Sequence, residues 1–312
     1  MKTEDIYTYL NAQQTSQKYL YSCYKGRMED AEAKSYRNCN TFMYYLDHGL
    51  RFYENGKNAD QVVQPVLYFY GMVHLLKALL LTSRPDYPES TTLLAHGVTA
   101  RKRKKKQYNF MDDEVKLQQH GLFPYFSEHL YSVRKFPFEK ISMKSLFSTI
   151  PEMNDFFSIQ GEEKMVYVGS SDTLLLQFPL HLLDTYHLTD EAFIRRLRGY
   201  LPAIKDIKKG PASISIDLME PPDYSNSPFF TNMLDKGIYF PAHRDYLLPI
   251  SEVVSHYLIL YNLSMLCRYE TDWWGDLLLS RPDLDYPFII RFLKITSEKI
   301  PALIGEELLL RL

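Results

Sequence analysis

The sequence predicts a mainly α fold with an inserted α+β segment, in which both chain ends build one helical bundle. Three observations predict it. Residues 31–54 repeat apolar side chains at helical spacing, residues 65–82 are apolar almost all round, and the stretch from 89 to 248 turns to the shorter alternation of strands. The expected division is 1–88 with 249–312 as the bundle, and 89–248 as an α/β segment packed on it.

In the first helix Tyr36, Cys39, Met43, Leu46, Leu50 and Tyr53 recur at steps of three and four, which puts them on one face. Arg37, Asn40, Asp47 and Arg51 fall on or near the other side. Asn55-Gly56 reads as its end, because glycine accepts the left-handed terminal position. The second helix opens on Pro65, which suits a first turn, and stops at Ser83-Arg84-Pro85. With so little polar surface it belongs in the centre of a bundle.

In the middle, Glu114–Gln119 and Leu122–Phe126 flank His120-Gly121 and suggest a β-hairpin. Residues 146–157 read as a short helix. Met165–Val168 and Thr173–Gln177 read as strands around Gly169-Ser170-Ser171. Thr189 caps a helix over 189–201. Ile214, Ile216 and Leu218 alternate in a half-buried strand that ends at Pro221-Pro222-Asp223. From 250 the pattern is helical again. Ser251 caps a helix running to about Tyr269, Asp285 and Pro287 open another that ends near Ile300-Pro301, and Leu303–Leu310 forms a last short one.

The two ends echo each other. Gln61-Val62-Val63 through Lys77 aligns without a gap on Glu252-Val253-Val254 through Arg268, placing Tyr70 on Tyr261 and Lys77 on Arg268. Arg84-Pro85-Asp86 is matched by Arg281-Pro282-Asp283. Two nearly all-apolar helices with shared terminators suit equivalent central positions. Leaving either one unpaired costs about 25 cal/mol per Å² of apolar surface kept in water.

Composition limits the function classes. An apolar share of 46% with 24% charged residues is that of a globular chain. Lys plus Arg number 36 against 38 Asp plus Glu, which excludes a generally basic, nucleic-acid-coating surface but leaves local patches open. The 25 tyrosines point to helix seams with polar edges, since each buried ring needs a partner for its hydroxyl. Cys23, Cys39 and Cys267 form no C-x-x-C pair, so a disulfide framework and a zinc ribbon are not expected. That usage fits a reducing, cytoplasmic compartment. Met1-Lys2-Thr3-Glu4-Asp5 does not read as a signal peptide, and no uninterrupted apolar run reaches the ~20 residues that span a bilayer. No membrane partner is expected.

The most distinctive local feature is the run Arg101, Lys102, Arg103, Lys104, Lys105 and Lys106, six successive cations able to grip phosphates. Gln107-Tyr108-Asn109-Phe110 adds rings able to stack on bases. A solvated charged loop is the alternative. His74 and Lys77 share a face of an otherwise apolar helix, either lining a polar pocket with Arg268 as the counterpart of Lys77, or satisfied within the core. His96-Gly97 and His120-Gly121 flank the basic run, either as two imidazoles of one site or as glycine turns. His243 and Arg244, with Asp245, form either an anion-binding loop or a loop held by its own Arg–Asp pair. His181, Asp184 and His187 drift around a helix axis, and Asp112-Asp113-Glu114 lacks a second acidic cluster, so no metal is expected. No P-loop, G-x-G-x-x-G or G-x-S-x-G is present, and no cofactor is expected.

Tyr68-Phe69-Tyr70-Gly71-Met72-Val73-His74-Leu75-Leu76-Lys77-Ala78-Leu79-Leu80, Pro85-Asp86-Tyr87-Pro88, Leu94-Ala95-His96-Gly97 and Tyr239-Phe240-Pro241-Ala242-His243-Arg244-Asp245-Tyr246 resemble the YaaC-like family of bacilli over most of the chain. That resemblance implies no particular activity. The helical ends also resemble the HEPN group of bundles, often dimeric, found in prokaryotic RNases and in partners of nucleotidyltransferases. Catalytic HEPN members carry Arg and His four to six residues apart on one helix, and none of the nine histidines here has an arginine at that distance before it. The expectation is therefore a non-catalytic binding or regulatory protein for a phosphate-bearing ligand, nucleotide or RNA, or for a protein partner. An RNase with a non-standard site such as His96, His120 and Arg101, and a homodimeric scaffold, remain as alternatives.

Overall fold

The computed structural model describes residues 3–100, 108–222 and 228–312. In chain order, the first half holds helices α1 (Thr3–Leu10), α2 (Gln13–Tyr24), α3 (Ala31–Asn58) and α4 (Gln64–Ser83). Then come β1 (Val98–Ala100), β2 (Glu114–Leu117), α5 (Leu122–Tyr131) and β3 (Lys140–Ser142). The middle holds α6 (Met143–Phe147), α7 (Asn154–Ile159), β4 (Met165–Ser170), β5 (Leu175–Pro179), α8 (His181–Tyr186) and α9 (Asp190–Leu197). It continues with β6 (Ile204–Lys209), β7 (Ser213–Leu218), β8 (Phe230–Thr231) and β9 (Gly237–Pro241). The chain closes with α10 (Glu252–Tyr269), α11 (Thr271–Ser280) and α12 (Asp285–Leu309).

Two compact units result, Met1–Met143 with His256–Leu312, and Lys144–Ser255. The protein is mainly helical, and its small antiparallel sheets lie in the middle of the sequence. The second unit begins at Lys144, whereas the sequence pattern turned at 89. The described residues of 89–143 join the helices through α5 packed on α4, the Phe123–Tyr257 ring contact and the Asn262 amide donating to Asp113.

In the helical unit α3 and α4 run antiparallel. Tyr53 stacks on Tyr68 with centroids 5.4 Å apart, while Tyr45 at one end meets Lys77. Gly56 does not end α3, as Asn55-Gly56 suggested. The helix continues to Asn58, and the missing side chain makes room for the Tyr68 ring, since a Cβ there would collide with its Cε1. The buried face holds Cys39, Phe42, Leu46 and Tyr53, but Tyr36 lies outside it at 66% exposure. Among the described residues α4 is the one helix long and apolar enough to cross a membrane, and 67% of its apolar window is buried inside the protein.

Helices α4, α10 and α12 pack together, as the echo between the chain ends implied. Phe69 on α4 meets Tyr257 at 5.4 Å and Tyr261 at 5.5 Å, and His256 meets Phe292 of α12 at 5.1 Å. Tyrosines close the seams with hydroxyls that donate to carbonyl oxygens. Tyr7 reaches Pro301 at 2.6 Å, Tyr19 reaches Leu308 at 2.8 Å, and Tyr24 reaches Leu81 at 2.7 Å. Helix α12 passes through Pro301 without the break the sequence suggested. A proline removes one intrahelical hydrogen bond, and the buried Ile300, Ile304 and Leu308 on the same helix outweigh that loss. The expected hairpin after β2 is also absent. Gly121, at φ +119°, opens α5 instead, with Pro124 in its first turn.

The second unit has two three-stranded antiparallel sheets, ordered β4-β9-β8 and β5-β7-β6. The strands expected around Gly169 therefore pair with distant partners, β4 with β9 and β5 with β7, rather than with each other. Leu176, Phe178, Ile214, Ile216, Phe240, Tyr186 and Phe193 form one core from strands and helices. Thr189 caps α9 by accepting from Ala192 N at 3.3 Å, and Ser251 accepts from Val254 N in the first turn of α10, both as read from the sequence. The helix expected over 146–157 is divided by a short turn at Pro151–Met153.

Candidate functional site

The helical spacing of α3 puts Tyr45, His48 and Phe52 on one flank, and that of α4 puts Tyr70, His74 and Lys77 on the flank facing it. The antiparallel pairing brings the two trios together. The His74 imidazole stacks on Phe52 at 5.7 Å, meets His48 edge-on at 5.7 Å, and lies 5.8 Å from Tyr45. Phe52 lies 6.5 Å from Tyr70, which lies 6.0 Å from His96. His96 also meets Phe69 at 4.9 Å and Tyr261 at 5.7 Å. A continuous row of rings thus runs from His48 to His96. Lys77 holds its ammonium 5.7 Å from the centre of the Tyr45 ring.

His96 is fixed by its backbone. Its carbonyl oxygen accepts from the Tyr257 hydroxyl at 2.9 Å and from Phe123 N at 3.1 Å. The two His-Gly turns do meet. Gly97, at φ +78°, and Gly121 pack backbone to backbone, and a Cβ on Gly121 would lie 2.6 Å from the Cα of Gly97. The turn reading of these pairs is thereby accounted for. His96 is half-buried, while His120 is exposed.

The charged groups acting on the two half-buried imidazoles of this row, His74 and His96, are cations or imidazoles. Burial, Lys77 and His48 push the His74 imidazole down to about 4, and its Nδ1 is buried without a hydrogen-bond partner. Burial, then Arg268 and Lys77, push His96 down. Burial alone lowers Lys77. Among the described residues no carboxylate figures in the charges acting on His74, Lys77 or His96. Arg268 donates from Nε to the Ser264 carbonyl at 2.8 Å and touches the Met265 sulfur, which leaves its charge uncompensated by those partners. Lys77 and Arg268, matched by position in the sequence echo, therefore act on the same imidazole. Two half-buried cations acting on one imidazole, neither of them paired with a carboxylate among the described residues, favour an incoming anion.

In other polar clusters Arg311, Asp113, His243 and Lys164 have partners of their own. In the helical unit a cavity of about 320 Å³ lined by Ser22, Cys23, Lys25, Arg27, Thr82 and Arg311 places Arg311 against Glu307 at 3.0 Å and Thr82 at 3.2 Å. Buried Asp113 accepts from Tyr108 at 2.8 Å and Asn262 at 3.1 Å. His243 and Arg244 belong to the second unit. There Asp245 lies 3.3 Å from His243 and 3.7 Å from Arg244, and Asp245 N donates to His243 Nδ1. The nearby Lys164, almost fully buried, donates to Glu162 and Tyr246 at 2.7 Å each. The basic run Arg101, Lys102, Arg103, Lys104, Lys105 and Lys106 lies outside the described residues.

Sequence reasoning singled out His74, Lys77, His96 and Arg268, but not Tyr45, His48, Phe52 and Tyr70. Their signal was the matched spacing, 45/48/52 on one helix and 70/74/77 on the next.

Comparison with curated proteins and with solved structures returns no match. A family model described as YaaC-like protein matches residues 8–308. Nearly the whole chain, both helical ends and the middle alike, falls within that match, and the chain belongs to the YaaC-like family.

Proposed function

We propose that the helical unit is a non-catalytic binding module for a phosphate-bearing ligand, a nucleotide or RNA, held by Lys77, Arg268, His74 and His96. The observation that carries this reading is that half-buried Lys77 and Arg268 meet a ring, a carbonyl and a sulfur but no carboxylate among the described residues, beside half-buried His74 whose Nδ1 has no hydrogen-bond partner. An anion here gains charge-assisted hydrogen bonds from the Lys77 ammonium and the Arg268 guanidinium. In sequence, the basic run Arg101–Lys106 begins five residues after His96. The antiparallel α3–α4 pair within a bundle closed by α12 supports a relation to the HEPN group. Without the Arg–His spacing, strand cleavage is not part of the reading.

The test is calorimetric titration of the full chain with inorganic pyrophosphate. Saturable binding that weakens at least tenfold in a Lys77→Ala/Arg268→Ala variant is expected, about 1.4 kcal/mol for the pair. Absence of binding, or binding equally tight in the variant, overturns the proposal.

A further inference from the structure

The cations of this site sit beside rings that a bare phosphate does not need. Phe52, Tyr70, His74 and His96 are half-buried and His48 is exposed, so each keeps part of its surface in water. The four linked by successive ring contacts, His74, Phe52, Tyr70 and His96, are neighbours across α3, α4 and the turn before β1. Apolar ring surface left in water is costly unless something covers it. Lys77 holds its ammonium 5.7 Å from the Tyr45 ring at one end, and at the other Arg268 stands about two turns along α10 from Tyr261, whose ring lies 5.7 Å from His96. Rings flanked by uncompensated cations match a ligand whose flat ring is joined to its phosphate.

Building on the phosphate reading above, we infer that the ligand is a nucleoside phosphate unit, whose base lies against Phe52 and Tyr70 while its phosphate meets Lys77 and Arg268. The unit comes either from a free nucleotide or from a residue of a single strand. Stacking on aromatic rings tolerates any base, since every base has a π-face. The site therefore discriminates base-bearing phosphates from sugar phosphates more than one base from another.

The experiment compares ribose 5-phosphate, a set of ribonucleoside monophosphates and short single-stranded RNA by calorimetry on the full chain. Wild type is set beside Phe52→Leu and Tyr70→Leu, which keep apolar bulk and remove the ring, with melting curves checking that each variant folds. The expected result is roughly tenfold or greater preference for nucleotides over ribose 5-phosphate. That preference collapses in both variants while ribose 5-phosphate binding stays unchanged. Affinity that rises with strand length identifies the strand as the source, and affinity level with the mononucleotide identifies the free nucleotide. Equal affinity of wild type for ribose 5-phosphate and nucleotides overturns the inference and leaves the phosphate reading standing. Binding of neither overturns both.

Discussion

The hydroxyl of Tyr257 on α10 donates to the backbone oxygen of His96 across 2.9 Å, tying a helix from the last part of the chain to a turn from the first third. The same oxygen is held from the other side by Phe123 N. His96 therefore takes its place from two other segments, α10 and α5, and the ring row depends on both.

Replacing Tyr257 by Phe removes one of these two anchors inside a fully buried setting. A loss of about 1 kcal/mol in stability is expected, since one hydrogen bond goes while the carbonyl keeps its second donor. Urea denaturation measures it. A midpoint equal to wild type shows that the bond does not hold the turn.

Gly56→Ala is expected to destabilise by about 1–2 kcal/mol, although alanine is the better helix former. The added methyl meets the Tyr68 ring, which is 2% exposed and stacked on Tyr53, so it has no room to retreat. Overpacking of this kind exceeds the helical gain of about 1 kcal/mol. Thermal melting separates the two, because a higher midpoint in the variant means the ring gives way freely.

Asp285 opens α12 with its carboxyl buried, and burial pushes it up to about 6. Phe110 N donates to Oδ2 at 2.6 Å. The folded chain keeps this proton until about pH 6, whereas the unfolded chain releases it near 4. The stability it contributes is present in acid and falls as pH rises between those values. Asp285→Asn removes the penalty, so the variant gains on the order of 2 kcal/mol over wild type at pH 8 and little at pH 4. Denaturation at the two pH values reads the difference, and an equal effect at both counts against it.

His74 gives the opposite slope. The folded state keeps the imidazole neutral down to about 4, while the unfolded chain takes up a proton near 6.5. Its contribution is complete above 6.5 and disappears as pH falls toward 4. After allowance for solvent screening of a half-buried ring this is of order 1 kcal/mol. His74→Gln is expected to flatten the stability profile across that window. Parallel profiles for the two proteins would remove His74 as the source.

The parts of the fold read from sequence are those with strong local signals. Pro65 and the apolar run after it mark α4, and Ile214, Ile216 and Leu218 mark β7. Pro301 misled because tertiary burial overrode a local breaker, and Leu122–Phe126 misled because five mostly apolar residues suit a strand or a buried helix equally. Helix α11 carried no capping signal, and its N-cap Glu270 makes no side-chain cap bond. In the site, Lys77 and Arg268 stood out as charges on apolar helices. Phe52 and Tyr70 did not, because rings at helical spacing are what any packed core shows.

Helix α4 meets residues of α12 that leave the ribosome about 200 residues after it, roughly 10–40 s later at ordinary elongation rates. For that interval a stretch nearly free of charge has α3 beside it but neither α10 nor α12. Its greasy flank is then open to chaperones and to other nascent chains. Production of this protein should accordingly depend on holdase capacity and on temperature during synthesis more than its finished stability alone suggests, with soluble yield as the readout.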